Sequence, residues 1–333
     1  MSVLFPRQSG RRRGLQALAA VALAGLLGLP AAQAQGDKTI KLLVGFPAGG
    51  GTDAIARLLA EKLKAELGHA VIVENKAGAG GQLAAQALKA APADGNTLFL
   101  SHDHTISILP LVVKNPGYDS ARDFVPVAGF ASFPNAIALS GGTPAKGLAD
   151  YAAWVKSAQG GKSAVGVPAP ASVPEFMVGV VAQKFGLDLV SAPYRGSAPM
   201  MADMLGNQIA AGIGSIPDFI ENHRAGKLRV VAVMGAQRMA LLPDVPTLGE
   251  LGLAGFDELP YYGIFAPAGT PKAALDSTAA AVAKVIAMPD VKDRLTAMGL
   301  SVGFQSGTQL ATRERAYSAV WQRIISASGF KPQ

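Results

Sequence analysis

The sequence predicts an α/β fold in two domains, each a mainly parallel sheet flanked by helices, with two extended strands joining them. Three observations carry this. Strand-like and helix-like segments alternate along most of the chain, and repeated β-α-β order gives parallel strands with helices on their faces. Two such series are separated by the long apolar stretch "FVPVAGFASFPNAIALS", and a second stretch, "LPYYGIFAPAGTP", follows the second series. The chain has 333 residues, of which 50% are hydrophobic and 16% charged, enough for two apolar cores and too apolar for disorder.

Each element follows from local pattern. "TIKLLVGF" reads as a buried strand. Ile55, Leu58, Leu59, Lys62 and Leu63 then recur at helical spacing, with only Lys62 breaking the apolar face. "AVIVEN" is the second strand, Gln82 to Ala90 an alanine-rich helix, and "TLFLS" the third strand. The second series runs from "SAVGV" through a helix over Pro174 to Phe185 and the strand "LVSAPY". A helix over Pro199 to Leu205, the strand "QIAAGIG", a helix over Pro217 to Arg224 and the strand "LRVVAVM" complete it. The C-terminal part is more helical, and Tyr317, Val320, Trp321, Ile324 and Ile325 make one apolar face. The two crossings divide the chain into a discontinuous domain I, 36–137 and 259–333, and domain II, 138–258. A cleft between such domains is a natural ligand site.

Residues 1–34 read as an export signal. An arginine-rich start precedes "GLQALAAVALAGLLGLP", and Ala32 and Ala34 form an Ala-x-Ala cleavage site. The alternative is a membrane anchor, but the run is short, alanine-rich and closed by Pro30. Arg12-Arg13 also suits a twin-arginine exporter, so both export routes stay open. With no later span, the expectation is a soluble periplasmic protein cleaved after about Ala34. Arg7, Arg11, Arg12 and Arg13 carry four of the seven surplus positive charges, which leaves +3 for residues 35–333. No basic block remains, so nucleic acid is not an expected partner. The chain contains no cysteine, which excludes disulfides, thiolate metal sites and a cysteine nucleophile.

The loops at the strand ends carry the chemistry. Gly49-Gly50-Gly51 lies between a strand and a helix, where open sheets bind ligands. Glycines bare the backbone N–H groups, and the helix adds its positive end, so the expected ligand is a small anion, most simply a carboxylate. Thr52 or Asp53 can cap the helix, although the charge of Asp53 opposes an anion. The alternative is a purely structural turn. No G-x-G-x-x-G and no Gly-Lys-Ser/Thr is present, which argues against a dinucleotide or a P-loop. "NKAGAGG", Asn75 to Gly81, is a second glycine loop in the same layer. In domain II, Tyr194-Arg195-Gly196 turns into a helix that Ser197 would cap, and "GVPAPASVPEF" offers Ser172 as another cap.

"VGFPAGGGTD", "NKAGAGG", "DGNTLFL", "APYRGSAPMMADMLGNQI", "AGKLRVVAV", "LPDVPTLGELGL" and "GIFAPAGTP" follow one another in an order that resembles the solute-binding subunits of tripartite tricarboxylate transporters, the TctC or Bug family. The resemblance covers about residues 38–330. It implies a type II periplasmic binding protein, a two-domain Venus flytrap that closes on a small solute and delivers it to permease subunits in the membrane. It also implies a monomer without cofactor, and a carboxylate held by backbone groups and waters. Carried over, the site includes Phe46, Ala48, Gly49, Gly50, Thr52 and Asp53, the loop from Ala169 to Ser172, and Gly196-Ser197. The chain departs from the family at "SHDHTISILP", at Glu175 where the family often has His, and at Ile213-Gly214-Ser215 where it often has Phe-Asp-Asn. All three lie at or near cleft-facing strand ends, which brings His102, His104 and Ser215 into the expected site. The departures imply a ligand that is bulkier, less acidic or partly cationic.

Continued strand alternation would put His102 and His104 on one face, where with Asp103 they could hold a divalent metal. The plainer reading is ligand-contacting or turn-capping polar residues, and no metal is expected. His69 and His223 read as surface residues. With no G-x-S-x-G, no cysteine and no H-E-x-x-H, the chain does not read as an enzyme. Two other roles stay open: a ligand sensor feeding a two-component system, or a binder of a non-carboxylate or bulkier aromatic solute.

Overall fold

The structure is a computed structural model that describes residues 1–3 and 39–332. The expected signal peptide and its cleavage site lie outside the described residues. Residues from Thr39 onward form one compact unit, built on two sheets. Among the described residues no helix is long and apolar enough to cross a membrane.

The first sheet has the order β11-β4-β10-β3-β1-β2. Strands β1 (Thr39–Val44), β2 (Ala70–Asn75) and β3 (Thr97–His102) are mutually parallel. They are linked through helices α1 (Gly51–Leu67) and α2 (Gln82–Lys89), as the β-α-β order requires. Strands β4 (Phe124–Ser132), β10 (Tyr261–Pro267) and β11 (Ser301–Ser306) are antiparallel to their neighbours. The second sheet has the order β7-β6-β8-β5-β9. Here β6 (Lys162–Val167), β7 (Asp188–Pro193) and β8 (Ala211–Ser215) run parallel, while β5 (Asn135–Ser140) is antiparallel to both its neighbours, β8 and β9 (Leu228–Val233).

Both sheets are therefore mixed, where the sequence suggests mainly parallel ones. The antiparallel pairs involve the strands that carry the chain between lobes. They enter a sheet directly and need no crossover helix to set their direction. The chain leaves the first sheet at Phe133-Pro134, between β4 and β5, and returns between Val233 and Tyr261.

The helices of the second lobe are α3 (Leu148–Ala158), α4 (Val173–Phe185), α5 (Ser197–Leu205) and α6 (Ile216–Arg224). Helices α7 (Lys272–Ala287), α8 (Pro289–Ala297) and α9 (Gly307–Ala327) follow β10. Ile55, Leu58, Leu59 and Leu63 of α1 are buried, each worth about 1.5–3 kcal/mol. Lys62, the break in that face, reaches Asp290 of α8 at 2.6 Å. On α9, Tyr317, Trp321 and Ile325 are buried, and Ser306 and Gln309 close a capping box at its start. His223 is half-buried and not simply a surface group: its Nδ1 accepts from the Val230 N–H at 3.2 Å.

Candidate functional site

The C-terminal ends of β1 and β3 face those of β6 and β8 across a small cavity, with a volume of about 40 Å³. A water needs about 10–15 Å³ by this measure, so the walls are close together. Phe46, Thr52, His102 and His104 line it from the first lobe; Ala169, Ser172, Ser197 and Ser215 line it from the second. All eight were expected from the sequence. Seven lining residues fell outside that expectation: Asp103, Phe133, Asn135, Pro168, Val173, Pro174 and Asp218. Asp218 was findable, because it stands in the first turn of a helix directly after the strand that carries Ser215.

The first-lobe wall is aromatic. His102 stacks on Phe46 with ring centroids 4.8 Å apart and lies roughly perpendicular to Phe133 and Tyr262, with centroids 5.9 and 5.6 Å away. Thr52 Oγ1 and Tyr262 Oη lie 3.1 Å apart. Burial, then the charge of Asp218, pushes the Tyr262 phenol well above its ordinary value. That hydroxyl keeps its proton.

The strand does not continue past His102. Asp103 adopts helical angles and a wide π-helical turn, His104–Ile108, begins, so alternation no longer places His102 and His104. Asp103 is drawn into the core, where its Oδ2 accepts from Tyr317 Oη at 2.8 Å. His104 packs against Gly80 of the second glycine loop. Burial, then the neighbouring His102, brings the His104 imidazole down to about 4, so it is neutral at pH 7. Among the described residues no group of three or more His, Cys, Asp or Glu is placed to hold a metal ion.

The glycine loop is differently employed from the simplest sequence reading. The Gly51 N–H donates to Asp218 Oδ1 at 2.8 Å, across the cleft. The Gly49 N–H donates to Asp53 Oδ2 at 3.0 Å, within the same loop. Asp53 also accepts from Arg57 Nε at 2.9 Å and Asn75 Nδ2 at 2.9 Å. Burial works to raise this carboxyl, but the hydrogen bonds from Arg57, Gly49 and Asn75 outweigh it and hold it below its ordinary value. Neither Thr52 nor Asp53 is the N-cap; Gly50 is, with no side-chain cap.

The bare backbone serves close approach. A Cβ on Gly51 would lie 2.9 Å from both Asp218 Oδ1 and Pro217 Cβ, and one on Gly50 3.1 Å from Ser197 Oγ. On the other side of the seam Gly196, at φ +104°, leaves no room for a Cβ against the Pro47 ring. Gly49 and Gly50 border a neighbouring open depression with Ser197 and Asp218. Gly196 borders another with Phe46 and Arg195, and Ala48 is exposed. Asp53 is engaged by Gly49, Arg57 and Asn75 and does not line the cavity.

The second-lobe caps also differ in detail. Gly196 is the N-cap of α5, and Ser197 is its first helical residue. Ser172 is the N-cap of α4, but its Oγ donates back to Ala169 O at 2.6 Å. Glu175 takes up the Ala171 N–H instead.

This arrangement, two α/β lobes meeting around a cavity at their strand ends, is that of a two-lobed binding protein. The sequence profile of TctC, described as "Tripartite tricarboxylate transporter family receptor", matches residues 55–330, and the chain belongs to that family. Three solved structures are close. That of the periplasmic binding protein BugD is 29% identical, covers 89% of this chain and 99% of its own, and superposes with a TM-score of 0.83. Rpa4515 of R. palustris, solved with adipate, is 29% identical over 89% of this chain and 98% of its own, with a TM-score of 0.83. MatC of Rhodopseudomonas palustris, with bound malate, is 29% identical over 86% and 98%, with a TM-score of 0.79.

Proposed function

We propose that this chain is a periplasmic solute receptor that captures a small organic acid between its lobes and delivers it to the membrane subunits of a tripartite tricarboxylate-type transporter. It binds its solute without converting it and acts as a monomer. The observation that carries the reading is the cavity with polar groups from both lobes, sealed by a hydrogen bond between lobes from Gly51 to Asp218. Such a site links occupancy to closure, which a partner can read. The adipate and malate found in similar proteins support a carboxylate as part of the solute. The hydroxyls of Thr52, which can accept from Tyr262 Oη, and Ser197 supply donors for it, and the first turn of α5 adds a favourable dipole.

A thermal-shift screen of the chain from Gln35 onward, unfolded and refolded to strip carried-over solute, tests this. A solute at a hundred times its Kd adds about 2.7 kcal/mol, a shift of several degrees. A saturable shift with a small organic acid, together with small-angle scattering that reports compaction, is the expected result. Absence of any saturable shift across mono-, di- and amino-carboxylates would count against the receptor reading.

A further inference from the structure

We propose that the solute also carries an ammonium group, and that Asp218 is the residue that receives it. This rests on the receptor reading above and names the class of solute within it.

The positive end of α1 is already matched by this chain's own carboxylates. Asp218 accepts from Gly51 N–H and Asp53 from Gly49 N–H, so the glycine loop does not present a bare anion site. Asp218 itself keeps capacity. Its Oδ1 accepts from Gly51 and its Oδ2 from Ser215 Oγ at 2.5 Å. A carboxylate offers about four lone-pair sites, which leaves room for further donors. The side chain lines the cavity on one side and the open depression on the other, so a solute entering from the cleft meets it.

The rest of the lining agrees. No lysine or arginine lines the cavity among the described residues. Arg195 borders a different depression, next to the outer side of Phe46. Phe46, His102 and Phe133 line the same cavity as Asp218, and an aromatic face presented to a solute attracts a cation. His104 lines the same cavity, is 5% exposed, and its Nδ1 has no hydrogen-bond partner among the described residues. An acid, aromatic faces and an unpaired ring nitrogen make a receiving surface for N–H donors. A second solute carboxylate placed there would face a like charge.

Calorimetry with matched pairs tests the assignment. Each pair keeps the chain length and one carboxylate, and exchanges the other carboxylate for an ammonium: adipate with 6-aminohexanoate, and succinate with 4-aminobutanoate. The full mature chain should bind the amino acid of at least one pair about tenfold or more tightly than its diacid. Asp218→Asn should erase that preference, and Asp218→Ser should bring diacid affinity up to or above that of the amino acid. The preference ratio is the readout, because loss of the Gly51 contact alone weakens closure around both members of a pair equally. Melting curves of both variants verify folding. Diacids preferred by the native chain, with a ratio unmoved in Asp218→Asn, would overturn the assignment and leave the receptor reading intact. Failure of both amino acids to bind would likewise overturn the assignment, whereas the receptor reading falls only with the wider thermal-shift screen.

Discussion

The first turns of α1 and α4 occupy equivalent places in the two lobes. Each follows a parallel strand and a loop of small residues, and each edges the cavity. Their backbone donors and polar caps are handled differently. At α4 everything is local: Glu175 accepts from Ala171 N–H, and Ser172 Oγ turns back to Ala169 O. At α1 one support is local, Asp53 on Gly49, and the other comes from Asp218, 167 residues away in the opposite lobe. One turn is complete within its own lobe, while the other is completed only when the lobes meet. The second lobe thus presents a preformed wall, and the first a wall whose polar pairing depends on closure.

Substitutions that keep the lobes apart should break this asymmetry most strongly. Gly196→Val puts a β-branched residue at φ +104° and drives it into Pro47. The φ strain burdens the loop itself, while overpacking of about 1–3 kcal/mol against Pro47 falls on the closed form. Calorimetry should report affinity lowered by about tenfold to a hundredfold, with the helical circular-dichroism signal retained. Gly50→Val, against Ser197, should weaken binding less sharply, because its Cβ has slightly more room.

Asp53→Ala tests the local half of the α1 support. It strips a partner from Gly49 N–H, Arg57 Nε and Asn75 Nδ2 together. Unfolding in urea should show a loss of about 2–4 kcal/mol. The native contribution has a pH signature. A carboxyl held below 3.8 in the fold stabilises fully above that value and ceases to do so as pH falls through the lowered one. Asp53→Ala should therefore be less acid-sensitive than the native chain below about pH 4.

A second acid-sensitive group works in a higher window. His104 is held neutral with its value brought from 6.5 to about 4. The unfolded chain takes up a proton below 6.5 that the folded chain refuses until about 4, so stability should fall as pH drops across that interval. The loss amounts to at most about 3 kcal/mol. Melting temperatures of the native chain and His104→Gln, followed from pH 7 to pH 4, separate this slope from that of Asp53. A native curve flat across the interval would show that His104 is not buried neutral.

The smallest effect should come from the self-contained wall. Ser172→Ala removes one hydrogen bond, to Ala169 O, and should cost about 1 kcal/mol in urea unfolding without changing any preference between solutes.

What the sequence made legible follows the same division between local and cross-lobe structure. Helical spacing over Ile55 to Leu63 and the run "AVIVEN" needed only their own residues, and both elements stand where the pattern puts them. Eight expected site residues meet at one cavity because strand ends in α/β sheets face one another by topology. The pairing of Gly51 with Asp218 had no local trace, since it depends on how two lobes close. His102 and His104 were mis-spaced by alternation because helical angles at Asp103 end the strand early, and the gain that favours that turn, a bond to Tyr317 on α9, is equally remote. The mixed sheets were hidden for a related reason: β-α-β counting sees strands joined by helices and is blind to those that switch sheet without one.

The bond from Gly51 to Asp218 bears on how faithfully such a receptor signals. A contact made between lobes alone favours closure by the same amount whether or not cargo lies inside. Every 1.4 kcal/mol of that kind raises the closed-to-open ratio of the empty protein tenfold, and the same factor tightens apparent affinity. Capture at low solute concentration and silence when empty are thus set against each other by one hydrogen bond, and the side chain at position 218 fixes where the compromise falls.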